Sequence, residues 1–287
     1  WLHSDEDIQS SKSGCHFGHY KAAAENDYLS ALHVARLNLA LETGVPYERW
    51  GHGLTVLLEK EFGSIYIDKL RTICLFEADF NWLQKIIFAK RMIGNARQCD
   101  IIPAEQCATA GIDQNQGSML KILHCDIHRT MHTPYSVVSA DLANCYDSVN
   151  HGVAALALLS FGVPHMAVKL VLTCLQSMFF WLRTAFGISG TPFHGTAINP
   201  FFGISQGGGL APPTFQAVSA LMINSYKSLG HGVQFVSPVT AITFFLAAIL
   251  YVDDTDLLLC ADSPEMSDEE FFRKIQRAVT SWARIVL

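Results

Sequence analysis

Asp253 and Asp254 stand side by side in an apolar setting. The run Ala241 to Leu250 precedes Tyr251-Val252, and Leu257-Leu258-Leu259 lies just beyond Thr255-Asp256. Asp141 closes a second extended, β-branched run, Tyr135-Ser136-Val137-Val138-Ser139-Ala140. Ionised carboxylates beside so much apolar surface cost several kcal/mol unless a positive charge compensates them, and a divalent metal does so. Carboxylates converging from strand ends bind two magnesium ions, which clamp the attacking and leaving oxygens of a phosphoryl transfer. Oxygen-only ligands favour Mg²⁺ or Mn²⁺ over zinc. Turns are rich in Asp for other reasons, so the pair gains meaning only if the surrounding elements bring Asp141 to it.

The segments on either side of Asp253-Asp254 read as a β-hairpin with acids at its tip, Ala241 to Leu250 forming one buried strand. Asp141 ends another strand, and the two ends meet if the strands are antiparallel neighbours. Asp256 reads as a strand residue facing solvent. A helix follows Asp141 from near Ser148 to Phe161, with Asp147 as its N-cap, and a second runs from about His165 to Phe180. The turn Ile204-Ser205-Gln206-Gly207-Gly208-Gly209-Leu210-Ala211-Pro212-Pro213 opens a helix at about Thr214 that runs to Ser228. No Gly-Lys-Ser/Thr follows the glycines, so they form no phosphate-binding loop; they let something bulky lie against the backbone. Ser267-Asp268-Glu269-Glu270 is a capping box ahead of a helix with an apolar face at Phe271, Ile275, Ala278, Val279, Trp282 and Val286.

Upstream, Asp27 to Thr43 reads as a scaffold helix closed by Gly44 and Pro46. Leu54 to Leu58 and Lys69 to Leu75 are strand candidates. A turn containing Gly63 makes them a hairpin that brings Lys60 toward Arg71. Asn81 to Arg97 is a helix carrying Lys85, Lys90, Arg91 and Arg97, the most basic stretch of the chain. Gln106 to His132 is mostly helix after a turn at Gly111. His124, His128 and His132 share one of its faces beside Cys125 and Asp126. Imidazole and thiolate are zinc ligands, but no partner pair from a second element is evident, and a plain helix face is the reading adopted.

The chain has 287 residues, half of them apolar and 16% charged, which implies a well-buried globular core. A net charge of −6 gives no basic signature, so any contact with nucleic acid is local or depends on parts outside this chain. The eight cysteines are scattered without a C-x-x-C pair, pointing to reduced thiols and an intracellular protein that is not secreted. The longest membrane-like run is about half of the ~20 residues a bilayer span needs. A start at Trp1 and an end at Leu287 inside a helical pattern suggest a piece of something longer.

Asp141-x4-Tyr146-Asp147, then Gln206-Gly207-x3-Ala211-Pro212, then Tyr251-Val252-Asp253-Asp254 resembles motifs A, B and C of the reverse transcriptases, in the right order. Lys60 and Leu70-Arg71-Thr72-Ile73 look like the fingers hairpin of those enzymes. The resemblance covers Trp50 to Trp282 and is closest to retroelement types, the non-LTR retrotransposons and group II introns. Ser148-Val149-Asn150-His151 is similar to the segment just after motif A in those elements.

The resemblance implies an α+β right-hand polymerase built of fingers and palm, with helices flanking an antiparallel, ferredoxin-like βαββα palm sheet that lacks its last strand. Residues 1–49 are then an N-terminal helical extension, 50–134 the fingers and 135–287 the palm, with fingers helices between motifs A and B and no thumb. It implies RNA-directed DNA polymerase activity, dNTPs being added to a DNA or RNA primer on an RNA template. Two Mg²⁺ ions, or Mn²⁺, would be held by Asp141 and Asp253 with Asp254 in support and the Leu142 carbonyl completing a shell. Lys60 and Arg71 would neutralise the triphosphate, and Gln206 and Gly207 would lie under the template base and incoming nucleotide. The Tyr146 ring would exclude a 2′-hydroxyl, whereas RNA-dependent RNA polymerases usually place an Asp at that spacing. Ala211 departs from the commoner Ser of motif B. Two other readings are a domesticated retroelement segment serving as a nucleic-acid-binding or interaction module, and an RNA-dependent RNA polymerase. No membrane association is expected, and no protein partner is identified.

Overall fold

The computed structural model describes residues 1, 11–60, 62–63, 66, 69–108, 114–196, 198–237 and 239–286. In chain order it contains helices α1 (Phe17–Ala23) and α2 (Asp27–Thr43), strands β1 (His52–Glu59) and β2 (Leu70–Leu75), and α3 (Ala78–Gln84). A π-helical segment, Lys85–Met92, joins α3 to α4 (Ile93–Gln98). There follow α5 (Gln114–Thr130), β3 (Tyr135–Asp141), α6 (His151–Ser160), α7 (His165–Gln176), β4 (Phe179–Thr184), β5 (Gly187–Ile188) and β6 (Phe193–His194). The remaining elements are α8 (Ala211–Ser228), β7 (Val233–Val236), β8 (Thr243–Leu246), β9 (Ala248–Tyr251), β10 (Asp254–Cys260) and α9 (Asp268–Val286). The chain divides into two compact units, Trp1–Cys99 with Tyr146–Phe215, and Asp100–Cys145 with Gln216–Leu287. The turn at Gly111 lies outside the described residues. No helix among them is long and apolar enough to cross a membrane.

In the first unit β1 and β2 form the expected antiparallel hairpin, Leu54 opposite Leu75 through Glu59 opposite Leu70. β4 adds to the other edge of β1 in parallel, with His52 opposite Phe179. That pairing draws Phe179 and Phe180 out of the expected helix, so α7 stops at Gln176. The core centres on Trp50, whose indole N–H donates to Asp79 (2.9 Å) and whose ring stacks on Phe80 at 5.0 Å. Asp79 and Glu77 are buried carboxylates, and Arg49 bridges them. Buried charges are stable only when paired in this way. Gly44 ends α2 in the left-handed region, as the sequence predicts, and Asn26, not singled out in the sequence, caps its start through the Leu29 N–H (3.1 Å).

The second unit carries the expected sheet. β3, β10 and β9 are neighbours in that order, all antiparallel, and the chain runs β3, α8, β9, β10, α9, which is βαββα. Ile223 and Tyr226 of α8 and Ala278 and Trp282 of α9 cover one face against Ala248, Leu250, Leu257 and Leu259. Leu120 of α5 with Cys107, Val233 and Leu246 covers the other against Ile249 and Leu258. Both faces being buried explains the uninterrupted Leu257-Leu258-Leu259 run, since alternation is needed only where one face meets water.

Other boundaries also differ from the sequence reading. Ala241 to Leu250 is not one strand: it breaks at Ala247, whose N–H turns to the Glu105 carboxylate (3.3 Å), so β8 pairs with β7 and only β9 joins the main sheet. Buried Glu105 is itself held by Lys227 at 2.9 Å. The helix after Asp141 begins at His151 with Asn150 as its cap (2.7 Å to the Gly152 N–H), so Asp147 caps nothing. α8 starts at Ala211, three residues early, because Pro212 and Pro213 fill the first turn, where no N–H is required.

His124 and His128 are core residues. Both are buried, their rings 4.8 Å apart, packed on Tyr135 and Phe235. Burial, with the neighbouring His128, lowers the His124 pKa to about 4, and burial lowers that of His128 as well. Their neutral forms belong to the folded state, while the unfolded chain takes up protons near pH 6.5. Their contribution is therefore complete above that pH and is lost as pH falls toward 4. Urea unfolding is expected to lose about 2 kcal/mol between pH 7.5 and 5. The slope should be shallower in His124→Gln, measured by the same titration.

Candidate functional site

The acids of the second unit are set by strand register. Asp254 opens β10 directly opposite Asp141, the last residue of β3, and opposite Tyr251 on the other side. Directly opposed residues project to the same face, with Cβ atoms roughly 5 Å apart. Asp253 stands one residue earlier, in the two-residue turn, and its carbonyl accepts the Leu142 N–H at 3.3 Å. That bond ties the turn to the strand end that carries Asp141. The first turn residue, Val252, has φ +57°, a left-handed conformation that costs a β-branched residue about 1–3 kcal/mol.

A third acid continues the same face. Asp256 faces Ser139 across the strands, receives its hydroxyl, and pairs with Lys121 of α5 at 2.8 Å. It does not face open solvent, as its position in the strand suggests. These groups line a cleft of about 400 Å³ whose walls include Ser118, Lys121, Asp141, Tyr251 and Asp254. Among the described residues no cation pairs with Asp141, Asp253 or Asp254. Nor do three or more His, Cys, Asp or Glu side chains of the described residues form a ready-made metal cage.

Lys60, Arg71, Tyr146, Gln206 and Gly207 belong to the first unit. Arg71 lies opposite Leu58, and the Lys60 N–H donates to the Lys69 carbonyl (3.1 Å), which puts Lys60 opposite Lys69. Lys60, Lys69 and Arg71 consequently share one face of the hairpin, with Lys60 diagonal to Arg71 rather than opposite it. The Gln206 carbonyl accepts the Cys74 N–H of β2 at 2.8 Å. Gly207, at φ +108°, passes so close that a Cβ there would lie 2.5 Å from the Cys74 carbonyl oxygen. The bulky neighbour the glycines admit is the protein itself: β2 at Gly207, Phe76 at Gly208, and Lys85 with Asn81 at Gly209. Asn81 and Gln84 hold this turn by accepting the N–H groups of Gly209 (2.7 Å) and Leu210 (3.1 Å). These two residues are missing from the sequence expectations; amides one helical turn apart were the available signal. Half-buried Tyr146 packs edge-on to Phe215 at 5.7 Å, and its carbonyl accepts the Ile204 N–H (2.8 Å), tying the segment after Asp141 to the one before Gln206.

Residues 59–285 match the family model described as reverse transcriptase (RNA-dependent DNA polymerase). No curated protein matches. Among solved structures, telomerase from Candida tropicalis in complex with a TWJ fragment of telomeric RNA aligns with TM-score 0.50 and 11% identity over 83% of this chain and 40% of that one. The apo telomerase truncated from its C-terminal domain gives 0.48 and 13% over 88% and 52%. The chain thus spans about half, or less, of the structures it resembles, and at these identities the likeness is one of fold.

Opposed like charges on paired strands oppose sheet formation. Without divalent cations Asp254→Asn is expected to stabilise the fold by about 0.5 kcal/mol, more at low salt, as read by urea unfolding at two ionic strengths.

Proposed function

The chain belongs to the reverse transcriptase (RNA-dependent DNA polymerase) family, and from that membership we propose that it serves an RNA-directed DNA polymerase that adds deoxynucleotides to a primer 3′-hydroxyl by two-metal nucleotidyl transfer. One observation carries the reading. Asp141 and Asp254 face each other and, among the described residues, no cation pairs with either, while Asp256, on the same face, is neutralised by Lys121. Uncompensated opposed carboxylates with oxygen-only donors suit Mg²⁺ or Mn²⁺, and magnesium is held by one or two carboxylates plus water and substrate phosphates rather than by a complete protein cage. When bound, the two ions supply the positive charge that steadies the attacking and leaving oxygens.

The other parts are supplied by the chain's own residues. Asp141 and Asp253 are the main ligands in this reading, with Asp254 in support; the Leu142 carbonyl is a further oxygen donor. Lys60 and Arg71, on one face of the β1–β2 hairpin, offset the charge on the triphosphate. Gln206 and Gly207, pinned to β2, form a rigid floor for base and nucleotide. The Tyr146 ring, braced by Phe215, blocks a 2′-hydroxyl and selects deoxynucleotides over ribonucleotides. Residues 50–134 are read as fingers and 135–287 as palm, with fingers helices between the Asp141 and Gln206 motifs. The element type is read as non-LTR or group II-like.

Primer extension on an RNA template is expected with dNTPs, falling by about 100-fold or more in Asp253→Ala. Saturable Mn²⁺ binding should disappear in Asp141→Asn. Extension indifferent to Asp253→Ala, or RNA binding untouched by Asp141→Asn and by EDTA in a protein with no extension activity, would favour a non-catalytic module instead. Tyr146→Ala should raise ribonucleotide incorporation about 10-fold. A wild-type preference for ribonucleotides would point to an RNA polymerase.

A further inference from the structure

The first unit contains a cavity of about 360 Å³ that shares Gln206 with the proposed nucleotide floor and is otherwise lined by residues given no part in polymerisation. It lies on the opposite side of the β1–β2 hairpin from Lys60 and Arg71. Thr55, Thr72 and Cys74 line it, and register puts them on the other face from Leu58, Arg71 and Ile73. One wall is aromatic. Phe180 stacks on Phe201 at 4.6 Å and on Phe193 at 5.3 Å, and Phe202 completes the lining. Phe193 and Phe202 keep about half of their surface exposed (47% and 53%), so part of this aromatic surface is open to a ligand. Polar contacts come from Thr55, Thr72, Ser205 and Gln206.

Among the described residues of the lining Asp147 is the one that carries a charge. It is free of the helix-capping role its sequence position suggests, and its carboxylate has no hydrogen bond or ion pair with any described residue. Partial desolvation raises its pKa, as expected where no donor compensates the charge. Among its described residues the lining has no Lys or Arg and so no provision for a phosphate. An aromatic slab beside an unpaired carboxylate is complementary to a flat, uncharged heterocycle bearing adjacent N–H donors on one edge.

We propose that this cavity binds an unpaired guanine base, stacked on the exposed phenylalanines, with its N1–H and N2–H donors on the Asp147 carboxylate. Single-stranded bases are recognised by stacking together with hydrogen bonds to the Watson–Crick edge. Guanine is the base that offers a carboxylate two adjacent donors. Cytosine and adenine offer one amino group beside an acceptor, and uracil sets its single N–H between two carbonyls. The same chemistry has two sources, a free guanine nucleoside or an unpaired guanine in an RNA strand.

Isothermal titration of the whole chain with guanosine, inosine, adenosine, cytidine and uridine tests the assignment. Guanosine should bind tightest. Inosine, lacking the N2 amine, should be weaker by about 10-fold, and uridine weakest, in line with the discrimination a bidentate pair provides. Asp147→Asn, checked by circular dichroism for a native spectrum, should weaken guanosine about 10-fold while leaving adenosine unchanged, because an amide offers one donor and one acceptor. Phe193→Leu should weaken all bases together, and Phe193→Trp should restore them. A uridine octamer with one central guanine, set against guanosine, separates the sources: tighter binding of the oligomer assigns the site to a strand, equal binding to the free nucleoside. Equal affinity for all five nucleosides, guanosine binding unaltered by Asp147→Asn, or no binding at millimolar guanosine overturns the proposal. None of these readouts depends on metal or on primer extension, so the site and the polymerase reading fail separately.

Discussion

Two negative charges held opposite each other on neighbouring strands are the constraint around which the second unit is built. Left to themselves Asp141 and Asp254 push β3 and β10 apart at the end where they stand. The rest of the sheet resists. β10 is apolar on both faces, covered by α8 and α9 on one side and by α5 with β7 and β8 on the other. Each buried leucine side chain there contributes about 1.5–3 kcal/mol, several times the cost of one opposed pair. The left-handed Val252 adds a second local cost at the same end, offset by the Leu142 N–H bond to Asp253 and by the ladder behind it. Lys121 limits the problem by removing Asp256 from the group of unpaired acids.

Buried acids elsewhere are treated differently. Glu77 and Asp79 share Arg49, Asp79 also accepts the Trp50 indole N–H, and Glu105 has Lys227 and the Ala247 N–H. Each is buried and compensated from within the chain, which is what desolvation requires. The acids at the end of β3 and in the β9–β10 turn are more accessible and lack such partners. The same residue type thus serves two ends, and burial with pairing tells them apart. Asp147 falls into the second group, although it stands in the other unit.

Local signals were the most legible in the sequence. Gly44 and Ser267, read as a helix end and a helix start, place the end of α2 and the start of α9, and the Ser267–Glu270 box is present with reciprocal bonds. The hairpin of Lys60 and Arg71 and the meeting of Asp141 with the Asp253-Asp254 turn were legible because strand ends and turn residues mark them, and the βαββα order because the resemblance of the motifs implies it. Non-local decisions were hidden. Nothing near Phe179 announces a parallel partner at His52, and nothing within Ala241 to Leu250 says that Glu105 will capture the Ala247 N–H. The histidine stripe of α5 was visible, but its burial against Tyr135 and Phe235 depends on strands far along the chain. Register, too, was out of reach: it sets Asp254, rather than Asp253, directly across from Asp141.

The parallel pairing of β1 with β4 bears on how the molecule is made. His52 finds its partner at Phe179, and Asp141 waits for Asp254, so both sheets close over long stretches of intervening chain. Each unit is also assembled from two separate lengths of sequence, one interleaved with the other. On a ribosome, the β1–β2 hairpin emerges first and keeps one edge unpaired until β4 has been synthesised, and β3 then waits over a comparable stretch of chain for β10. Contacts so distant in sequence form slowly, and open strand edges in the interval invite pairing with other chains. Synthesis of this protein therefore creates a period of vulnerability to aggregation that ends only when the last strand of the second sheet has left the ribosome.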